Sequence, residues 1–239
     1  MRYRVVLFDV GETLIGPQES FGAVYARVLG PLGLERPAEA FDEALGEQWE
    51  EMNRMIPPGA DRYAVFPGGE RGYWLHFARG AIERVAGESV PEDFAERVLD
   101  ALRDAFKGRD AWLIYDDVFP TLEALKKAGV RLGVVSNWDT RLPKVLERLD
   151  LAQFFESVIV SSIEGVEKPD PLIFERALAS LDADASTTVH VGDLPEIDQA
   201  GAEAAGIRGV LIDRKGKLAP ELGALSDLKD LVPLVLDGA

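Results

Sequence analysis

The chain has 239 residues, 47% of them hydrophobic, which is enough apolar material to pack one large domain or two modest ones. It has no cysteine, which excludes disulfides, thiolate nucleophiles and cysteine metal sites and suits a reducing cytoplasm. A formal net charge of −16 repels nucleic acid with no local basic patch to offset it, and no apolar run approaches the ~18 residues of a membrane span.

Residues 3–8 (Tyr-Arg-Val-Val-Leu-Phe) read as a short buried strand that ends at Asp9. This opening segment is too short and too soon charged for a signal peptide, so a cytoplasmic location is expected. Gly11 and Gly16-Pro17 then break the chain. From about Ser20 to Phe106 the apolar spacing is helical, as in Phe21, Val24, Tyr25 and Val28 and later Phe94, Val98, Leu99 and Leu102. Between these lies an irregular stretch, Ile56-Pro57-Pro58-Gly59 through Phe66-Pro67-Gly68-Gly69, expected to be a loop. Within this block Trp49 and Trp74 are expected in the core, His76 in packing, and the arginines Arg54, Arg62 and Arg71 on the surface.

After Trp112 strands and helices alternate. Pro120 sits in a first helical turn and Gly129 ends that helix. Val130 to Val135 is a strand, and Thr140 is placed to cap a helix running to Leu149. Ser157 to Ser161 is a strand, and Asp170-Pro171 opens a helix carrying Ile173, Phe174, Ala177 and Leu178. Thr187 to Val191 is a strand, a helix through Ala200 stops at Gly206, and Gly209 to Ile212 is the last strand. Helices between buried strands predict an α/β fold with a parallel, doubly wound sheet, the all-helical block being an insertion after the first strand.

Ligands of such a sheet bind beyond the carboxyl ends of its strands. Asp9 stands there after the first strand, Ser136-Asn137 after the second, Lys168 beyond the third, and Gly192-Asp193 with Asp198 after the fourth. Singly each has an ordinary reading. Asp9 suits a turn, Ser136-Asn137, Asp193 and Asp198 suit helix caps, and Lys168 suits a solvated surface. Together, in order and each after a strand, they are far more specific.

The motifs Phe8-Asp9-Val10-Gly11-Glu12-Thr13-Leu14, Val135-Ser136-Asn137, Lys168-Pro169-Asp170 and Val191-Gly192-Asp193…Asp198 resemble the four motifs of the haloacid dehalogenase (HAD) superfamily. The likeness spans nearly the whole chain, and is nearest to the haloacid dehalogenase-like domain proteins with helical caps. It implies a Rossmann-like core of residues 1–15 and 111–239 and a helical cap of 16–110. It implies a Mg²⁺-dependent phosphatase of a small phosphorylated metabolite, with Asp9 attacking phosphorus. The family assigns Mg²⁺ to the Asp9 carboxylate, the Gly11 carbonyl and Asp193, with Asp198 holding a metal water or orienting Lys168. It assigns substrate oxygens to Ser136 and the Asn137 amide, and transition-state charge to Lys168.

The chain departs from the pattern at Gly11. Most phosphatases of the family carry there a second aspartate, which protonates the leaving oxygen, and such help is worth ~10²–10⁴-fold. Glu12 is the nearest substitute acid, although its side chain is expected to point away from Asp9. A 2-haloacid dehalogenase, whose halide leaves unprotonated, needs no such acid. Asp193 and Phe174 stand where that group has Asn and Tyr, and count against it. A binding or regulatory protein on a hydrolase scaffold is the third reading. His190, within an apolar strand, is expected to be a core residue.

Overall fold

The computed structural model describes residues 2–57 and 59–237, so Pro58 of the expected loop lies outside the described residues. The run β1 (Val5–Phe8) is apolar throughout and buried at every position, with Asp9 directly after it. Beyond β2 (Ile15–Pro17) come α1 (Phe21–Leu29), α2 (Ala38–Met55), α3 (Arg62–Val65), α4 (Gly69–Ala86) and α5 (Glu92–Ala105). The strand β3 (Trp112–Ile114) pairs with β2 in a two-stranded ribbon. Alternation follows as α6 (Val118–Lys127), β4 (Arg131–Ser136), α7 (Leu142–Arg148), β5 (Ser157–Val160), α8 (Ser161–Glu164) and α9 (Pro171–Ser180). The chain finishes with β6 (Thr188–Gly192), α10 (Ala200–Ala204), β7 (Arg208–Leu211) and α11 (Leu231–Asp237).

The main sheet has five strands in the order β5-β4-β1-β6-β7, and every pair is parallel. This is the doubly wound α/β architecture expected of strands that read as continuous apolar runs, because helices cover both faces. Val5 and Leu7 project to one face and pack with Val135, Ile159, Ile173, Phe174 and Ala177. Phe8 falls level with Val134 of β4 and Val191 of β6. The residues that close β1, β4 and β6 therefore reach one edge of the sheet together.

The chain divides into two compact units, Met1–Gly16 with Pro58–Asp61 and Ile114–Ala239, and Pro17–Pro57 with Arg62–Leu113. Residues near Gly59 go with the sheet unit because Ala60 bridges Val166 and the Glu167 amide donates to the Gly59 carbonyl at 3.4 Å. In the helical unit, Tyr73 is fully buried, edge-on to Tyr63 and Phe66 with ring centres 5.2 and 5.3 Å away. No helix among the described residues is long and apolar enough to cross a membrane.

Several local expectations are corrected. The stretch expected to be a loop carries α3 and the start of α4. Thr140 does not cap α7, which begins at Leu142. The fully buried Asp139 accepts instead from the Arg141 amide at 3.0 Å and from its guanidinium Nε at 2.9 Å, satisfying two donors at once. Trp49 is 40% exposed rather than in the core, and Arg62 is 9% exposed rather than on the surface. The Arg62 guanidinium lies 5.1 Å from the Trp49 ring centre, a cation–π contact that apolar periodicity does not encode. His76 is exposed, with its ring centre 5.3 Å from that of Phe66.

Candidate active site

Register brings Asp9 beside the end of β4, and the Ser136 hydroxyl donates to Asp9 Oδ1 at 3.0 Å. Lys168, between α8 and α9, donates from Nζ to the same oxygen at 2.7 Å. Asp9 is 7% exposed and Lys168 2%, so this ion pair is shielded from solvent. Both bonds fall on Oδ1. Among the described residues Oδ2 of Asp9 accepts none.

Lys168 Nζ also donates to Asp198 Oδ1, at 2.5 Å. Burial alone would pull the lysine's pKa down, but Asp198 and Asp9 outweigh it and hold it raised. Burial likewise works to raise Asp198, yet Lys168 and His190 bring it well below the usual carboxylate range. Its second oxygen accepts from the Leu194 amide at 3.0 Å. His190 is pushed down by burial in spite of Asp198, so it is neutral at pH 7, and its Nε2 lies 3.1 Å from Asp198 Oδ1. A carboxylate only accepts, so the ring must donate from Nε2. His190 is a core residue with a second task, fixing the aspartate that fixes the lysine. The second task was not visible in an apolar strand containing one histidine.

Asn137 acts on the lysine's backbone. Its Nδ2 donates to the Lys168 carbonyl at 2.9 Å, and the Lys168 amide donates to its Oδ1 at 2.8 Å. This contact of the Asn137 side chain is separate from the substrate role expected of its main-chain amide. No spacing signals it, because the two residues are 31 positions apart in different loops.

Asp193 follows β6, and ligand oxygens of Asp9, Asp193 and Asp198 all lie within 4.8 Å of one another. Burial and the charges of Asp9 and Asp198 push the Asp193 carboxyl up to about 7. Asp9 too is raised, by burial, against the opposing pull of Lys168. Three carboxylates face one ammonium while His190 adds no charge, which leaves a surplus of negative charge in a sheltered site. An all-oxygen donor set with that surplus fits a hard divalent cation such as Mg²⁺. Asp198 already has both oxygens committed to protein donors. Asp9 and Asp193 are thus the side chains best placed to hold the ion.

Position 11 is crowded by another side chain. A Cβ built on Gly11 would sit 3.3 Å from Cζ3 of Trp138, tighter than ordinary carbon contact. The Trp138 backbone is itself clamped, its amide bonded to Ser161 Oγ at 3.2 Å and its carbonyl accepting from the Ser162 amide at 3.3 Å. Glu12 adopts a left-handed backbone, φ 54°. Its carboxylate accepts from the Tyr115 hydroxyl at 2.9 Å and pairs with Lys215 Nζ at 3.0 Å.

Comparison with known proteins gives the family and the fold. Residues 3–206 match the haloacid dehalogenase-like hydrolase family. The chain is 31% identical over 214 residues to haloacid dehalogenase-like hydrolase domain-containing protein 3 of Danio rerio, covering 89% of this chain and 86% of that one. It is 34% identical over 212 residues to the ribulose-1,5-bisphosphate 5-phosphatase of Halopiger xanaduensis, covering 87% and 84%. In fold it is similar to a HAD-hydrolase of Bacillus subtilis bound to magnesium, with a TM-score of 0.73 at 18% identity over 99% of this chain and 100% of that one.

Proposed function

The chain belongs to the haloacid dehalogenase-like hydrolases, and on that premise we propose that it is a Mg²⁺-dependent phosphatase of a small phosphorylated metabolite, with Asp9 as the nucleophile. The observation that carries the reading is Asp9 held at once by Ser136 and Lys168 and grouped with Asp193. A phosphate monoester repels nucleophiles by its own charge, so the site must neutralise and align it. Lys168, kept protonated by its two carboxylates, supplies fixed positive charge in a dry site where it costs no reorganisation. Asp9 attacks phosphorus and the aspartyl-phosphate passes to water. The Ser136 hydroxyl turns from Asp9 to a phosphate oxygen when substrate binds, joined by the Asn137 amide. Mg²⁺, held by Asp9, Asp193 and the Gly11 carbonyl, would polarise the phosphoryl group and offset its charge. Asp198, locked to Lys168 and His190, orients the lysine. The helical unit serves as the cap domain, and the enzyme is cytoplasmic.

The test is hydrolysis of p-nitrophenyl phosphate, whose leaving group departs without a proton donor. Wild type turns it over with Mg²⁺ and not with chelator, while Asp9→Asn is inert. Equal release by the variant overturns the reading. The absence of an acid at Gly11 also favours a 2-haloacid dehalogenase. Metal-independent chloride release from 2-chloropropionate, without phosphate-ester turnover, would select that alternative. Phosphate or metal binding with no turnover of any ester would instead mark a regulatory protein.

A further inference from the structure

Resting on the phosphatase reading, we infer that Trp138 is a specificity-determining residue that closes position 11 to an acid and confines the enzyme to phosphates whose leaving group departs as a stable anion. Two independent contacts carry this. The Trp138 ring already crowds the first carbon that any side chain at Gly11 would add, and its backbone is pinned at both amide and carbonyl, so the ring cannot retreat by a simple shift of the loop. The neighbouring carboxylate offers no replacement. Both oxygens of Glu12 serve as acceptors, one for the Tyr115 hydroxyl and one for Lys215. The half-buried indole thus lies where a proton donor would stand.

The chemistry follows. As the Asp9 oxygen bonds to phosphorus, the bond from phosphorus to the leaving oxygen breaks, and its electron pair leaves with that oxygen. No side chain at position 11 or 12 supplies a proton, so the fragment departs as an anion. Water then bonds to phosphorus, Asp9 leaves as a carboxylate, and the surplus proton passes to solvent. Aryl phosphates, acyl phosphates and phosphoanhydrides meet this demand, whereas simple alkyl phosphates do not.

The experiment is a leaving-group series from p-nitrophenyl phosphate and acetyl phosphate to an alkyl phosphate, run on wild type, Gly11→Asp, Trp138→Ala and the double variant. Wild type favours the activated esters in kcat/KM by ~10²-fold or more, the worth of the absent acid. Gly11→Asp alone gains nothing on the alkyl ester, while the double variant gains about tenfold or more and flattens the series. Wild type that hydrolyses alkyl and aryl esters alike, or Gly11→Asp matching the double variant, overturns the inference. Thermal unfolding of Gly11→Ala in the Trp138 and Trp138→Ala backgrounds needs no activity. The substitution lowers Tm by roughly 2–4 °C beside the indole and less without it, and equal shifts overturn the steric pairing. An inactive wild type with non-additive Tm shifts would defeat the phosphatase reading and the substrate restriction built on it, leaving only the steric pairing.

Discussion

Asp117 and Arg214, 97 residues apart, form a buried ion pair that ties α6 to the loop following the nucleophile. Asp117 Oδ2 accepts from Arg214 Nη1 at 2.5 Å and from the Leu228 amide at 2.7 Å, and Arg214 Nε and Nη2 donate to the Thr13 carbonyl at 3.1 and 2.6 Å. The Arg214 guanidinium also lies 4.3 Å from the centre of the Tyr115 ring. The pair thus bears on the turn that carries Gly11 and Glu12.

This pair predicts a pH dependence of stability. Burial works to raise Asp117, but Arg214 and the Leu228 amide prevail, so its pKa is lowered on folding. A lowered carboxylate contributes stability that is complete above its unfolded value of about 3.9 and is lost as pH falls through the folded value. Asp117→Asn should therefore cost ~3 kcal/mol at pH 7, the scale of a broken buried pair, and less as pH drops below about 4. Urea unfolding across that range reads the difference. A gap between wild type and variant that does not narrow in acid contradicts the assignment.

Gly192 tests how the lysine is held. A Cβ there would lie 2.1 Å from Asp198 Cγ, an impossible contact that must displace the carboxylate. Gly192→Ala should destabilise by ~1–3 kcal/mol through overpacking. It should also lower kcat about 10²-fold, because a shift of about 1 Å in a charged group suffices for that. Steady-state kinetics on p-nitrophenyl phosphate beside a urea melt reads both. Full activity in the folded variant would mean that Asp198 does not position Lys168.

Asp193 separates metal binding from folding. Burial, with the charges of Asp9 and Asp198 beside it, pushes it up to about 7. Asp193→Asn removes that repulsion, so the metal-free variant should melt at or above wild type. Mg²⁺ at 100 times its dissociation constant should stabilise wild type by about 2.7 kcal/mol, raising Tm with concentration, and should leave the variant unmoved. A variant that still responds to Mg²⁺ places the ion elsewhere.

The sheet and the strand-end polar residues were legible because the signal is local: a short, largely apolar buried strand, then Asp9, Ser136 or Asp193. The same locality explains what was missed. Trp138 against Gly11, Asn137 against Lys168 and His190 against Asp198 are side-chain meetings created by register and loop course, and no spacing rule reports them. Glu12 meets Tyr115 and Lys215, which lie roughly a hundred and two hundred positions on, so neither contact could be read from local spacing. Thr140 failed as a cap because the Leu142 amide is taken by the Asp139 carbonyl at 3.2 Å and Pro143 has no N–H to offer.

The most direct test of the nucleophile is to quench the enzyme with acid during turnover of p-nitrophenyl phosphate and map any phosphoryl group by mass spectrometry. With no carboxyl at position 11 to activate water, the intermediate should accumulate on the peptide carrying Asp9 and vanish in Asp9→Asn. A turning-over enzyme that never carries phosphate on Asp9, or carries it on another residue, would contradict the account.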